Sequence, residues 1–249
     1  MVTGDPGAFY GRDLAYVHDA AFGDLARMAA ALLIDRLARA GLDGGRVVDL
    51  GCGSGITAQA LTAAGYDVLG IDVSEELLAI ARRRAPRAEF RRALLIDAPL
   101  PPCVGVAAIG EALSYARDPR ADRAALAQLF VRVHSAIAPG GVVVLDIAAP
   151  GREPEGVRRT WYEGPDWTVC LEASEDDFQH VLRRQITVFR LAGELYRRTD
   201  EIHRLRLHDP HAVSEDLRSA GLLPVPLAGY GEDHRLGHGH AAFLATRPR

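Results

Sequence analysis

The sequence contains no lysine and no asparagine in its 249 residues, so all 29 basic side chains are arginine. Without lysine there is no phosphate-binding G-K-[ST] loop, no Schiff-base chemistry on a lysine, and no tyrosine–lysine pair of the short-chain dehydrogenase type. Without asparagine there is no N-glycosylation acceptor. These absences exclude several nucleotide-dependent enzyme classes before any motif is considered.

Cysteine, long apolar runs and excess charge are scarce as well. The three cysteines (Cys52, Cys103 and Cys170) form no C-x-x-C pair, which is typical of a reducing cytoplasm. The first residues have no basic and apolar signal-peptide pattern, and no apolar run is long enough to span a membrane. The net charge of -4 and the pI of about 6.1 argue against a nucleic-acid partner. We therefore expect a cytoplasmic globular protein; the composition leaves a homo-oligomer open.

Strands and helices alternate through the first part of the chain. The pattern predicts strands at 46–50, 67–71, 89–92, 104–110 and 142–147, with helices at 56–64, 74–85 and 122–137. Such alternation is typical of a parallel sheet covered by helices on both faces, with ligands at the carboxyl ends of the strands. A helix at 212–220 and an antiparallel strand pair at 222–227 and 241–246 should complete the sheet.

Two flanking regions have a different character. Residues 1–45 begin with a polar stretch that contains several aromatics and continue into an amphipathic helix with a stripe from Leu25 to Leu37. Residues 151–208 are rich in β-branched, aromatic and arginine residues, which favours antiparallel strands at 160–162, 167–172, 182–190 and 195–207. The predicted organisation is therefore a helical cap (1–45), a core (46–150), an antiparallel insertion (151–208) and the end of the core (209–249).

The most informative motif is Val47-Val-Asp-Leu-Gly-Cys-Gly-Ser-Gly55, followed by Gly70-Ile-Asp-Val-Ser74. A strand carries Asp49, a turn with three glycines follows, and the next strand ends at Asp72. Glycines allow the backbone to turn tightly and to approach a ligand, and an acid in the position of Asp72 can accept both hydroxyls of a ribose. The spacing is G-x-G-x-G, which differs from the G-x-G-x-x-G pattern of dinucleotide sites.

This motif resembles the first motif of the class I S-adenosylmethionine-dependent methyltransferases. The resemblance covers residues 46–147 and extends to residues 209–249, and it implies a Rossmann-like, seven-stranded mixed sheet with helices on both faces. The insertion is similar to the small substrate-covering sheet of glycine and sugar-amine N-methyltransferases. The resemblance implies S-adenosylmethionine as cofactor and a small organic molecule as methyl acceptor.

The resemblance also implies roles for individual residues at the cofactor. Asp49 would support the turn and the amino-acid part of the cofactor, with the backbone of Gly51 and Gly53 lying close to it. Asp72 would bind the ribose, and Val73 would line the adenine. For the adenine edge the family often has a polar side chain where this chain has Ala93, so the contact is expected from the backbone of Leu94, with Asp97 as an alternative.

At the methyl-transfer end, the resemblance assigns three further positions. The carbonyl of Gly110 would accept from the ammonium of the cofactor, and Tyr115 would shape the methyl pocket. Tyr16, in the N-terminal region, would close over the cofactor carboxylate.

Three side chains are candidates for catalysis. Glu111 follows the fourth strand and could face the substrate or the ammonium. His18 and His203 could act as general bases, because an imidazole titrates near neutral pH; the alternative for His18 is an incidental histidine on a surface helix. Arg204 could bind a substrate carboxylate, or pair with Glu201 or Asp200.

For several other residues a purely structural role is an alternative to a functional one. Trp161, Tyr162 and Trp167 could wall a substrate cavity or fill the core of the insertion. The series His234, His238 and His240 lacks a nearby cysteine and is interpreted as a turn into the last strand rather than as a metal site. No metal site is predicted.

The sequence thus predicts an enzyme that transfers a methyl group from S-adenosylmethionine to a nitrogen or oxygen nucleophile of a small acceptor. The alternative is a non-catalytic protein that binds S-adenosylmethionine or S-adenosylhomocysteine. A nicotinamide oxidoreductase ranks third because of the glycine spacing.

Overall fold

The computed structural model describes residues 9–153, 156–231 and 235–249. The helices are α1 (Arg12–Ala21), α2 (Asp24–Arg39), α3 (Ile56–Ala63), α4 (Glu75–Arg84), α5 (Arg123–Ala136) and α6 (Pro210–Ser219). The strands of the main sheet are β1 (Arg46–Leu50), β2 (Asp67–Asp72), β3 (Glu89–Arg92), β4 (Cys103–Ala108), β5 (Ile137–Ala148), β10 (Leu223–Leu227) and β11 (His240–Thr246). Those of the second sheet are β6 (Val157–Gly164), β7 (Trp167–Asp176), β8 (Val181–Ala192) and β9 (Leu195–Arg206).

The main sheet has the strand order β10-β11-β5-β4-β1-β2-β3. Strands β1 to β5 pair in parallel, whereas β11 is antiparallel to both β5 and β10. The predicted fold class is therefore confirmed: a Rossmann-like mixed sheet of seven strands. Because the parallel strands share one direction, their carboxyl ends meet at a single edge of the sheet.

Helices cover both faces of this sheet, as the alternating side chains of its strands require. Val48 and Leu50 of β1 pack into a cluster with Phe130 of α5, while Val47 packs on the opposite face with Leu33 of α2. The stripe predicted for α2 packs there, with Ala29, Leu33 and Leu37 buried and its other residues half-buried. Strands with apolar residues on both faces need this double cover.

The second sheet is an antiparallel meander, β6-β7-β8-β9, as expected for the insertion. Its strands have eight to twelve residues; β6, β7 and β8 are longer than predicted, whereas β9 ends one residue earlier than predicted. One of its faces packs on α1, where Leu14 and Val17 contact Trp167, and Leu205 of β9 packs near Ala148 at the end of β5. These contacts hold α1 and the second sheet above the carboxyl edge of the main sheet.

The N-terminal region contains two helices, although the sequence pattern predicted only the second with a clear period. None of the helices in the described ranges is long and apolar enough to cross a membrane.

Candidate active site

A cavity opens at the carboxyl ends of β1, β2 and β4, where the parallel topology predicts a ligand site. Its floor is the glycine turn after β1, and its roof is the segment Phe9–Tyr10 together with α1. The residues that line it include these predicted positions: Asp49, Gly51, Gly53, Asp72, Val73, Leu94, Gly110, Tyr115 and His18.

The glycine turn lies across the end of β2. The backbone amides of Gly51 and Cys52 both donate to the carbonyl of Ile71, at 2.8 and 3.0 Å. Gly51 and Gly53 have φ angles of +74° and +52°, which side chains disfavour. A Cβ on Gly51 would also overlap the methyl group of Ala112. The turn therefore requires glycine for its backbone conformation, and at Gly51 for close packing too.

Asp49 presents a carboxylate to the cavity without an internal partner. The side chain is 2% exposed, and its Oδ2 atom has no hydrogen-bond partner among the described residues. Burial, and to a lesser degree the nearby carboxylate of Asp72, raises the pKa of Asp49 to about 7. A buried, unpartnered carboxylate of this kind fits a cationic ligand group, which would supply the missing charge.

Asp72 is held more firmly. Its Oδ1 accepts from the amide of Ser74 at 2.8 Å, and its Oδ2 accepts from the amide of Gly53 at 2.9 Å. Burial raises the pKa of Asp72, and the hydrogen bonds partly offset that effect. Each carboxylate oxygen keeps a second lone pair, so that both can still accept from a diol in the cavity.

The side of the cavity beyond β3 is apolar. It is formed by Val73 and by residues 93–96, which include Leu94. Asp97, the alternative polar contact, is absent from the cavity wall and forms an ion pair with Arg120 at 2.9 Å on the surface. The structure thus offers apolar flanks and backbone groups for a flat heterocycle, and no carboxylate from Asp97.

Gly110 and Glu111 form a turn one residue beyond the end of β4, with φ angles of +77° and +61°. Gly110 lines the cavity, but the carboxylate of Glu111 does not. Glu111 instead pairs with Arg184 of β8 at 2.6 Å and with Arg152 at 3.2 Å. The expectation that Glu111 faces the substrate is corrected accordingly, because two arginines from the insertion turn its side chain toward the second sheet.

The roof is anchored at three points through one residue that the sequence did not single out. The hydroxyl of Tyr10 bonds to the hydroxyl of Tyr115 at 2.8 Å, and its carbonyl accepts from Ser74 Oγ at 2.8 Å. The backbone amides of Tyr10 and Gly11 both donate to the carboxylate of Glu201, at 2.7 and 2.8 Å. Tyr10 has a φ of +47°, a conformation that these contacts hold in place.

Tyr16 lies outside the cavity wall, and this corrects the tyrosine chosen from the sequence. Its hydroxyl bonds to Asp166 at 3.1 Å, and the guanidinium of Arg190 lies 3.5 Å above its ring. Tyr16 precedes His18 by two residues on α1, which is a rotation of about 200° around a helix. His18 faces the cavity, so Tyr16 faces the second sheet; Tyr10 is the tyrosine at the roof.

The two candidate histidines flank Tyr10. The ring centroids of His18 and His203 lie 5.0 and 4.9 Å from that of Tyr10. Burial lowers the pKa of His18 to about 4, so its imidazole is neutral at pH 7, and its Nδ1 has no partner in the described ranges. His203 is buried behind Tyr10 and Tyr115, and its Nε2 lies 2.8 Å from Glu201. His18 therefore lines the cavity, whereas His203 is separated from it by the rings of Tyr10 and Tyr115.

The remaining sequence candidates lie elsewhere. Arg204 forms neither suggested ion pair, because Asp200 pairs with Arg198 and Glu201 bonds to His203. Trp167 fills the core of the insertion, but Trp161 is 71% exposed and serves neither of the roles suggested for it. Tyr162 stacks edge-on against Phe22, a residue of the cavity wall.

Of the histidines near the C-terminus, His240 lies close to a buried acid. The Nε2 atom of His240 lies 3.4 Å from Asp146. His234 falls outside the described residues. Within the described ranges, no group of three or more histidine, cysteine or acidic side chains is arranged to hold a metal ion.

The fold and the cavity define a class of protein: a Rossmann-like α/β protein whose glycine turn and two carboxylates suit a nucleoside that carries a cationic group. Comparison with known proteins makes this specific. A family model described as a methyltransferase domain matches residues 47–141. A trans-aconitate 2-methyltransferase from Variovorax paradoxus is 31% identical over 187 residues, which cover 72% of this chain and 69% of that protein. The chain belongs to the class I S-adenosylmethionine-dependent methyltransferases.

Two further similarities show how much of the chain is shared with known methyltransferases. A ubiquinone biosynthesis O-methyltransferase from Aromatoleum aromaticum is 36% identical over 122 residues, so the match spans 44% of this chain and just under half (46%) of that protein. An S-adenosylmethionine-dependent methyltransferase from Clostridium acetobutylicum has a TM-score of 0.80 at 18% identity, over 94% of this chain and 98% of the other. The structural likeness shows that the whole fold, including the insertion, is shared.

Proposed function

We propose that this protein transfers a methyl group from S-adenosylmethionine to a nitrogen or oxygen nucleophile of a small organic acceptor, by in-line displacement. The observation that carries the proposal is the buried, unpartnered Oδ2 of Asp49 beside the glycine turn. An anionic pyrophosphate would be repelled there, whereas a cationic amino-acid group would be attracted. The cofactor, when bound, supplies an electrophilic methyl group on a sulfonium.

The residues of the cavity suggest how the cofactor is held. Asp72 would accept from the ribose hydroxyls, and Val73 and Leu94 would flank the adenine. Gly51 and Gly53 allow the backbone to approach closely. Asp49 and the carbonyl of Gly110 would bind the ammonium, with Tyr115 and Tyr10 closing the methyl-transfer end; Tyr16, which lies outside the cavity, has no part in this assignment.

The roof suggests how the acceptor is handled. We propose His18 as the first candidate for a proton acceptor, because it lines the cavity and is neutral at pH 7. His203 is the second candidate; its ring lies against the rings of Tyr10 and Tyr115, so a proton would have to reach it by way of a tyrosine hydroxyl. Glu111, fixed by Arg152 and Arg184, would support the acceptor wall rather than accept the proton. The cap (residues 1–45) and the insertion (151–208) would exclude water and choose the acceptor, above the core formed by residues 46–150 and 209–249.

The non-catalytic alternative is disfavoured, because the relatives that match this chain are named as methyltransferases. We further propose a cytoplasmic location, a small-molecule acceptor, no nucleic-acid partner, and the possibility of a homo-oligomer. The free cysteines Cys52, Cys103 and Cys170 support a reducing compartment.

Titration calorimetry tests the cofactor assignment. S-adenosylhomocysteine should bind and NADH should not; the reverse would overturn the proposal. Asp72→Ala should weaken S-adenosylhomocysteine binding by about 1–3 kcal/mol, because two hydrogen bonds to the ribose are lost. Asp97→Ala, which breaks only the surface pair with Arg120, is the matched control and should leave the affinity unchanged.

A transfer assay separates enzyme from binder. The protein is incubated with S-adenosylmethionine labelled at the methyl group and with fractionated small-molecule extracts. Labelled product in a fraction, absent with Asp72→Ala, supports catalysis. Binding of S-adenosylhomocysteine without labelled product in any fraction would restore the binder hypothesis.

A further inference from the structure

Asp146, at the end of β5, is a buried carboxylate to which the sequence motifs gave no role. We propose that Asp146 is a positioning residue for the cofactor's amino group: it fixes the turn at Gly110 so that the carbonyl of Gly110 faces the ligand. This inference rests on the proposed function, since it concerns the amino-acid end of S-adenosylmethionine. Asp146 itself does not line the cavity and would act through the peptide that does.

The contacts of Asp146 are directed at two consecutive amides. Its Oδ2 accepts from the amide of Gly110 at 3.0 Å, and its Oδ1 accepts from the amide of Glu111. Both residues have left-handed φ angles, and Glu111 is not a glycine. A non-glycine residue in this conformation persists only where its surroundings hold it. The carboxylate of Asp146 is the group that does so here.

The geometry of the peptide bond passes this restraint to the cavity. In a trans peptide, the N–H of one residue and the C=O of the residue before it point in opposite directions. The amide of Glu111 points at Asp146, so the carbonyl of Gly110 points away from it. Gly110 forms part of the cavity wall, and its carbonyl is the acceptor expected for an ammonium group.

The C-terminal part of the chain completes the arrangement. Tyr230 donates its hydroxyl to Asp146 Oδ2 at 2.6 Å, and His240 Nε2 lies 3.4 Å from Oδ1. Asp146 is 0% exposed, so the hydroxyl of Tyr230 and the two amides replace the water that a carboxylate would otherwise bind. Residues far from the glycine motif thus set the orientation of one carbonyl at the ligand.

The electrostatics of the cavity agree with this role. Asp49 provides a second acceptor at the same cavity, with an unpartnered oxygen. The carboxylate of Glu111 forms ion pairs with Arg184 and Arg152 and therefore does not compete for the ammonium. A carboxylate and an oriented carbonyl together offer acceptors for two of the three donors of a primary ammonium.

Two ligands that differ only in the amino-acid part test the inference. S-adenosylhomocysteine carries the amino group, whereas 5′-methylthioadenosine keeps the nucleoside and the sulfur but lacks it. In Asp146→Asn the side-chain NH₂ must face one of the two amides, so the turn can no longer be held by both. We expect at least a tenfold loss of affinity for S-adenosylhomocysteine and less than a threefold loss for 5′-methylthioadenosine, measured by calorimetry.

The other outcomes are decisive as well. Equal losses for both ligands would show a merely structural role, and no loss for either would also overturn the inference. If Asp146→Asn does not fold, Tyr230→Phe provides a second test, because it removes one donor to the carboxylate. It should give the same selectivity with a smaller, roughly threefold, loss of affinity for S-adenosylhomocysteine; equal losses for both ligands, or no loss, would count against the inference.

Asp35→Asn, which breaks an exposed pair on α2, is the control and should change neither affinity. If the unmodified protein binds neither ligand, the proposed function itself fails.

Discussion

The cofactor side and the roof of the cavity are built in different ways. On the cofactor side, the contacts are short in sequence: Asp72 accepts from Gly53, 19 residues away, and from Ser74, two residues away. At the roof, Tyr10 contacts Glu201 across 191 residues and Tyr115 across 105. Contacts within one strand–turn–helix unit leave a spacing pattern in the sequence, whereas contacts between distant segments do not.

The same arrangement, a carboxylate that accepts from two consecutive backbone amides, nevertheless occurs once in each region. Glu201 accepts from the consecutive amides of Tyr10 and Gly11, and Asp146 accepts from those of Gly110 and Glu111. In each pair a residue other than glycine has a positive φ. A carboxylate that takes two successive N–H groups can therefore hold a turn for which the local sequence has little preference.

The largest effect is expected on the cofactor side, at Gly51. Gly51→Ala should lower the free energy of unfolding by about 2–4 kcal/mol, because the new methyl group overlaps Ala112 and φ stays positive. Gly53→Ala is the matched comparison, since its Cβ would meet no atom within 4 Å. It should cost only about 1 kcal/mol of backbone strain. Urea unfolding measures both, and equal losses would mean that packing against Ala112 contributes nothing.

The next effect concerns Asp49 and depends on pH. Its carboxyl has a pKa of about 7 in the folded protein, so the folded state binds the proton up to a higher pH than the unfolded chain does. The free energy of unfolding should therefore fall as pH rises from about 4 to about 7. Asp49→Asn removes this charge, and the ligand-free variant should be more stable than the wild type at pH 8, by about 1–3 kcal/mol.

The same substitution should weaken S-adenosylhomocysteine binding, because the ammonium loses its anionic partner. Thermal unfolding at pH 5 and pH 8, with and without the ligand, measures both consequences. A stability difference that does not change with pH would contradict the buried carboxylate as its origin.

The smallest effect is expected at the roof. Glu201→Gln leaves one acceptor oxygen for the amides of Tyr10 and Gly11, so the free energy of unfolding should fall by about 1 kcal/mol. Hydrogen exchange at these two amides should become faster. Asp200→Asn, on the adjacent residue of β9, should leave that exchange unchanged because Asp200 pairs with Arg198. If both variants behave alike, Glu201 does not hold the roof.

The sequence was sufficient to predict the main sheet, its strand directions and the glycine turn whose residues line the cavity. These depend on apolar periodicity and on glycine and aspartate at fixed spacing. The residues of the roof were not predictable in the same way. Tyr16 and Tyr10 are equally plausible in sequence, and only the rotation of α1 decides that Tyr16 contacts the second sheet.

The side-chain direction of Glu111 was likewise not predictable from its position in the sequence. Its position after β4 indicates a site residue, but its direction depends on Arg152 and Arg184, which belong to the insertion. Asp146 carried a signal that could have been used: it is an acid within the otherwise apolar run Val142–Ala149, and an acid in a buried strand needs partners. The identity of those partners required the three-dimensional arrangement.

The position of β11 has a consequence for the order in which the protein can be completed. This strand lies between β5 and β10 in the sheet, yet it follows both of them in the sequence. Strand β10 pairs with β11 and not with β5, so without β11 the edge of the main sheet would be β5. The turn held by Asp146 also lacks its contact with His240 until then. A nascent chain can therefore acquire the glycine turn early, but a fully oriented ligand site only after β11 has been synthesised.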